Sequence, residues 1–417
     1  MSVPPHRAPG ASDPGLSFRP FVLLMAGLMA MNALGVDIML PALPAIGKSL
    51  HIADANQRQW IIMIYVAGFG VAQLVWGPLA DHFGRKPIVT ASAALYAVLS
   101  IVAGFAATFP LLLAARFLQG IAAAASRVLV TSIVRDCYEG RQMARVMSLA
   151  LMCLLAAPIL APSIGQAIQL ATGSWHWIFL FLALFGGAMA LASGLKLKET
   201  LHPEFRRSLS FAGVLTAMVR VARERTSVGY TLASACTYGA ILGMVSSIEQ
   251  IFVDLFAAPR LFPIIFALAA GAMAVSSFVN SRVVGRFGTR RVSQSAMFAF
   301  TVLSILHLAV AASGLETILT FAVLQAATMF CFGMLGPNFG SMAMEPVGDI
   351  AGTASSVQGA FQTCVGALIG IAIGQSFDGS TVPLTAGFTV LGFAVIAIVF
   401  VTERGTLFRP HHPPVAS

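Results

Sequence analysis

Gly77-Pro78-Leu79-Ala80-Asp81-His82-Phe83-Gly84-Arg85-Lys86-Pro87-Ile88-Val89 is a charged, glycine-bearing turn set between two apolar runs. The run before it covers 59–80 and the run after it 87–108. A helix needs about 20 apolar residues to cross a bilayer, so each run is of spanning length. The turn places one acid, one histidine and two bases between them. It is the hairpin of a chain that threads a membrane repeatedly.

Counting outward from this hairpin gives twelve windows of the same kind: 21–46, 59–80, 87–108, 110–134, 144–170, 175–196, 227–252, 261–284, 292–312, 316–340, 351–375 and 382–402. The polar stretch from Lys196 to Arg225 is the longest break between them and divides them six and six. The reading is an all-α membrane protein with two six-helix bundles at 21–196 and 227–403. A tail covers 1–20, a linker 197–226 and a second tail 404–417. Composition agrees. The 417 residues are 58% hydrophobic and 10% charged, where a soluble domain carries about 25% charge, and the mean hydropathy is +0.86. Long apolar runs satisfy their backbone groups internally as helices rather than as barrel strands.

The net charge of +9 does not point to nucleic acid, because no basic stripe with interleaved aromatics is present. With the N-terminus placed inside, twenty of the 25 Lys and Arg fall in inner loops and tails, Arg7, Arg207 and Arg409 among them. Three (Lys48, Arg58 and Arg260) fall outside, and Arg116 and Arg127 lie within a span. That asymmetry puts both termini in the cytoplasm. Residues 1–20 lack an apolar signal core, so the first window is read as a retained span. The five cysteines have no metal-ligand spacing, and neither a disulfide framework nor a metal or other cofactor is expected. Trp175 and Trp177 fit an interfacial aromatic belt.

A charge in the bilayer costs at least ~2.5–3.5 kcal/mol, so an ionisable residue in a span is a functional candidate. Asp37 lies 16 residues past Phe21, about 24 Å along a helix. Arg116 lies six residues past Pro110, about 9 Å from the opposite edge. Both therefore sit in the outer half at similar depth, where they can pair or share a cavity. A static ion pair is the structural alternative to a proton-coupling pair. Burial favours the neutral form of a carboxyl, and a nearby guanidinium favours the charged form. A carboxyl held between the two can change charge during transport.

Asn32, Tyr65, Gln119, Tyr238, Glu249, Asn338 and Gln358 are the candidates for lining a substrate cavity, each equally suited to an interhelix hydrogen bond. Glu249 lies 22 residues into the seventh window, near the outer interface, and reads as a gate or surface residue rather than a coupling site. Arg127 is placed to snorkel. His307 reads as incidental, and no histidine is expected to meet an acid inside a span, which argues against a membrane-embedded enzyme. Pro158, Pro162 and Gly165 in the fifth window permit close packing or a bend.

The hairpin resembles the major facilitator loop signature G-x-L-A-D-x-x-G-R-K at Gly77, Leu79, Asp81, Gly84, Arg85 and Lys86. Asp37–Pro44, Arg116–Gly120, Ile133–Gly140, Ala157–Gly165, His176–Phe181 and Gly352–Gly359 resemble the bicyclomycin- and chloramphenicol-resistance (Bcr/CflA) subfamily of drug:proton antiporters. The resemblance implies the two-bundle major facilitator fold. It also implies alternating access, export of small lipophilic compounds across the bacterial inner membrane in exchange for protons, no enzymatic activity, and a monomer in the lipid bilayer. It associates Asp37 and Arg116 with proton coupling, and Pro158, Pro162 and Gly165 with the helix-five antiporter motif. This chain departs from that motif with Ala157-Pro158 and Gly165-Gln166, where drug antiporters show G-P and G-G. Arg127 and Glu249 are also unusual for the subfamily. A major facilitator importer or uniporter of a metabolite or organic anion is the alternative.

The hairpin reads as a cytoplasmic gate. Asp81 is expected to meet the helix N-terminus near Ala351, where the dipole favours an anion, and Arg85 to reach Asp136. A weak copy, Gly285-Arg286-Phe287-Gly288-Thr289-Arg290-Arg291, keeps glycine and bases but lacks the acid. The latch is therefore expected to be asymmetric between the halves.

Overall fold

The computed structural model describes residues 12–202, 204, 206 and 212–408, except for the side chains of Leu154, Leu155 and Ala212. Arg7, Arg207 and Arg409 lie outside the described residues. Among the described residues the structure is helical, with no strand.

Six long helices precede the linker: α1 (Phe18–Asp37), α2 (Trp60–Phe83), α3 (Arg85–Gly104), α4 (Phe109–Cys137), α5 (Gly140–Thr172) and α6 (His176–Lys196). Six follow it: α7 (Arg225–Gln250), α8 (Phe262–Phe287), α9 (Thr289–Ala312), α10 (Ile318–Met344), α11 (Ala351–Gln375) and α12 (Val382–Thr402). Eleven described stretches have the length and composition of a membrane span, and one of them, Ile318–Gln375, contains both α10 and α11.

Local chemistry sets the ends. Thr108 caps α4 by accepting from the Leu111 N–H at 3.4 Å, and Thr317 with Thr320 forms a reciprocal capping box on α10. Gly173 ends α5 in the left-handed region. The α2–α3 hairpin turns on Gly84 at φ +105°, a conformation open to glycine and strained for other residues.

The predicted windows 351–375 and 382–402 coincide with α11 and α12. The first does not hold to Ile46: α1 stops at Asp37 and the chain tightens through Leu40–Ala42 before a short helix, Leu43–Ser49. Pro41 and Pro44 supply no backbone donor there. Ile38, Met39 and Leu40 are fully buried, as non-helical backbone at membrane depth must be. Pro158 and Pro162 sit within α5 without ending it. Of the two belt tryptophans, Trp177 is exposed, whereas Trp175 is buried with its ring stacked 3.9 Å from His176.

The helices form two compact units. Of the described residues, one unit holds those up to Ile52 together with those of Ile64–Gly213; the other holds Ala53–Met63 and those from Val214 on. In the first, α1 packs on α4, α5 and α6, and α3 packs on α4 and α6. In the second, α7 packs on α10, α11 and α12, and α9 packs on α10 and α12. Adding six to each helix number of the first set gives the second, the mark of an internal repeat.

Small residues make the close crossings, as expected where lipid supplies no hydrophobic drive between helices. A Cβ at Gly120 of α4 would fall 2.0 Å from the Tyr65 carbonyl oxygen of α2. The counterpart in the second unit is Gly333 of α10, whose Cβ would fall 2.3 Å from the Met273 oxygen of α8. Large apolar side chains such as Leu184, Leu191, Val302, Val390 and Val401 remain exposed, a surface suited to lipid.

Candidate functional site

Asp37 is the last residue of α1, at the point where the helix breaks, and it is 5% exposed. Arg116, on α4, is fully buried. Its Nη2 donates to the Gly35 carbonyl at 2.7 Å, two residues before Asp37, and its Nη1 donates to Gln119 Oε1 at 2.5 Å. The guanidinium lies 4.2 Å from the centre of the Tyr65 ring, a cation–π geometry. The chain of bonds continues from Gln119 Nε2 to Ser100 Oγ at 2.6 Å and from Ser100 to the Tyr96 carbonyl at 2.7 Å. The Tyr96 hydroxyl returns to α1 at the Met31 carbonyl, at 3.2 Å. A buried guanidinium is costly unless donors and charge are matched. Here the bonds tie α4 to Gly35 in the last turn of α1 and α3 to Met31, four residues earlier, with the Tyr65 ring of α2 against the guanidinium.

Gly165 of α5 closes this arrangement. Its missing side chain allows α5 to lie against the break in α1: a Cβ would sit 1.8 Å from the Ile38 carbonyl oxygen and 3.3 Å from Pro41 Cγ. The helix-five glycine thus touches the residue that follows Asp37.

The hairpin forms a second constellation in the same unit. Arg85 is 4% exposed. Its Nη1 meets Asp81 Oδ1 at 2.5 Å and its Nε meets Asp136 Oδ2 at 3.3 Å, so one guanidinium clamps the end of α2 to the end of α4. The sequence does not signal a third acid, Glu199, just beyond α6. Its Oε1 accepts from the Arg85 N–H at 2.8 Å and its Oε2 from the Lys86 N–H at 3.3 Å. A carboxylate on the first amides of α3 satisfies orphan donors and complements the helix dipole. Gly84 makes room for it, since a Cβ there would lie 2.3 Å from Glu199 Oε2. Gly77 has open space where its side chain would be.

In the second unit the copy of the hairpin is ion-paired as well, through acids that its own loop lacks. Gly288 turns at φ +82° between α8 and α9, and the acids come from other helices. Arg290 meets Glu345, after α10, at 2.9 Å, and Glu403, after α12, at 3.0 Å. Glu403 also accepts from the Tyr230 hydroxyl at 2.6 Å. On the linker helix Ala212–Arg223, Arg220 pairs with Asp349, between α10 and α11, and holds that carboxyl below its usual range.

The predicted cavity residues separate by what they bond. Gln119 is committed to Arg116 and Ser100. Asn338 exchanges bonds with Asn280, at 2.8 Å in the shorter direction. Gln358 donates to Ser227 Oγ at 2.8 Å and to the Ala343 carbonyl at 3.0 Å. Asn32 and Tyr238 are half-buried, Tyr65 is fully buried, and Glu249 is 1% exposed. Arg127 is exposed, 6.0 Å from the Phe69 ring centre. His307, read from the sequence as incidental, has an acid as its partner: its Nε2 lies 2.7 Å from Glu316 Oε1. That acid stands nine residues along, just past the end of α9. Among the described residues, no cluster of His, Cys, Asp and Glu is arranged to hold a metal ion.

Comparison with known proteins follows the same lines. Residues 25–374 match the family model described as Major Facilitator Superfamily. The chain is 28% identical over 401 residues to a protein of Haemophilus influenzae named bicyclomycin resistance protein homolog, covering 93% of this chain and 98% of that one. It is 29% identical over 350 residues to the multidrug resistance protein MdtL of Shigella dysenteriae, covering 82% and 85%. The fold matches the xylose transporter XylE of E. coli with a TM-score of 0.72 at 10% identity, over 94% of this chain and 99% of that one.

Proposed function

Because the chain belongs to the major facilitator superfamily, a family of membrane transporters, we propose that it exports small lipophilic compounds, drugs among them, in exchange for protons. The observation that carries the proposal is Asp37. It is a nearly buried carboxyl at the broken end of α1, two residues from the Gly35 carbonyl that receives Arg116 and one residue from the Ile38 carbonyl that receives Gly165. A carboxyl in that setting can exchange a proton while neighbouring contacts sense its charge. The names of the Haemophilus and Shigella relatives support drugs as the cargo.

In this proposal both termini are cytoplasmic, the membrane is the bacterial inner membrane, and the protein works as a monomer. A proton from outside neutralises Asp37 and favours substrate release outward; the halves rock, and the proton leaves inside. Arg85, Asp81, Asp136 and Glu199 hold the cytoplasmic end during part of the cycle. One charge moving down ~150 mV supplies about 3.4 kcal/mol, enough for a few-hundred-fold gradient of a neutral solute. No G-x-x-x-x-G-K-[ST] phosphate loop occurs in the sequence, in keeping with drive by protons.

Susceptibility profiling tests the cargo. A pump-deficient bacterial host expressing this chain is expected to gain resistance to members of a panel of bicyclomycin, amphenicols, quinolones and lipophilic cations. An unchanged profile, with the protein present in the membrane, refutes the drug-export reading. Proton and substrate fluxes in the same direction in proteoliposomes would instead identify an importer.

A further inference from the structure

Glu249 stands apart from its surroundings. It lies in the last turn of α7, 1% exposed, and neither carboxylate oxygen has a hydrogen-bond partner among the described residues. The next residue is bonded well: Gln250 donates to Asn56 Oδ1 at 2.8 Å and accepts from Gln59 Nε2. Asn56 and Gln59 belong to the segment Ala53–Met63, which is part of the second unit. Gln59 also donates to the Gly374 carbonyl at 2.9 Å, and Asn56 to the Phe377 carbonyl at 3.0 Å. This polar seat fixes the segment on α7 and α11 and sets Arg58 between two acids.

Arg58 does not divide itself evenly. Its Nη2 donates to Asp254 Oδ2 at 3.0 Å and its Nε to the Ala55 carbonyl at 2.9 Å. Its Nη1 stands 3.6 Å from Glu249 Oε1, beyond a good hydrogen bond. Among the described residues, Arg58 is the base that comes within 4 Å of Glu249. The other acid–base pair at this end of the unit, His307 with Glu316, closes on itself at 2.7 Å, and Asp378 on the α11–α12 turn is bonded to Ser380 at 2.7 Å. A buried carboxylate without donors is far costlier than a buried neutral acid. With Arg58 engaged by Asp254, Glu249 is in the setting of the protonated form. Were Glu249 to lose its proton, moving Arg58 by under 1 Å would give it a charge-assisted bond.

We propose that Glu249 is a second proton-loading site, filled from the aqueous phase through the Arg58–Asp254 pair. Asp254 has a side chain 39% exposed and forms the mouth of the route. When the Glu249 carboxylate takes a proton from water, Arg58 passes to Asp254; when the proton leaves, Arg58 returns to Glu249. The seating of Ala53–Met63 on α7 thereby depends on the proton. The inference rests on the reading that this protein moves protons, and on the proposed orientation it places the site on the outer side.

Infrared spectroscopy of the purified full-length protein tests it without a transported substrate. At neutral pH the wild type is expected to show a protonated-carboxyl band that Glu249→Gln removes and Asp37→Asn leaves in place. Asp254→Asn frees Arg58 for Glu249 and is expected to weaken that band, an effect that a merely packed glutamate would not produce. A spectrum identical in wild type and Glu249→Gln, or a band unmoved by Asp254→Asn, overturns the proposal. Continued export by Asp37→Asn would count against the coupling role of Asp37 alone.

Discussion

Gly165→Ala is the substitution for which the structure gives the sharpest expectation. In a helix interior, alanine is intrinsically favoured over glycine by about 1 kcal/mol, so without tertiary contact the change would stabilise α5. The contact reverses the sign. The added Cβ would lie 1.8 Å from the Ile38 carbonyl oxygen, and ordinary contact begins at 3.4 Å, so α5 and the break in α1 must part by about 1.6 Å. The obstacle is backbone, which no rotamer change relieves. Overpacking of this kind costs about 1–3 kcal/mol, up to ~2 kcal/mol net of the propensity gain. For a unit of roughly 200 residues that is a fall in melting temperature of up to about 8 °C. Because Ile38 follows Asp37, transport should fall more than stability does. The assay is thermal unfolding of the purified protein beside drug efflux from cells, with Gly187→Ala as control, since nothing lies within 4 Å of that Cβ. Wild-type melting and wild-type efflux in Gly165→Ala would refute the reasoning.

Other substitutions follow from the same geometry. Glu199→Gln leaves the amides of Arg85 and Lys86 facing a neutral oxygen and should lower stability by about 0.5–1 kcal/mol; Gly84→Ala, which adds strain at φ +105° and a clash with Glu199, should lower it further, both read by thermal unfolding. Asp81→Asn removes one arm of the Arg85 clamp and should slow transport while leaving equilibrium drug binding unchanged; an equal loss of affinity would contradict a gating role. Arg116→Lys keeps a charge but cannot serve Gly35, Gln119 and the Tyr65 face together, and transport should drop at least tenfold in an efflux assay.

The helices were legible because bilayer thickness imposes a length that composition reveals. Where that signal overshoots, at 38–46, the cause is a buried break around Pro41 that hydropathy cannot register. Asp37, Arg116, Arg85 and Asp136 stood out as charges in or beside apolar runs. Their partners did not. Glu199 is 114 residues from Arg85, and Glu403 is 113 residues from Arg290; each lies in an ordinary polar stretch, and only the packing of α6 on α3 and of α12 on α9 brings them in. Gly165 was visible as a small residue in a helix, but that it meets a carbonyl rather than a side chain depends on the crossing of two helices. Gln119, Asn338 and Gln358 suit a cavity or an interhelix bond equally by sequence, and their amides are taken up in bonds between helices.

The most direct measurement is uphill efflux by Asp37→Asn. Wild-type and variant protein would be reconstituted in proteoliposomes, a pH gradient imposed, and accumulation of radiolabelled bicyclomycin followed. Proton coupling through Asp37 predicts that the wild type accumulates the drug against its gradient, while the variant only equilibrates it. Accumulation by Asp37→Asn at the wild-type level would contradict the proposed mechanism.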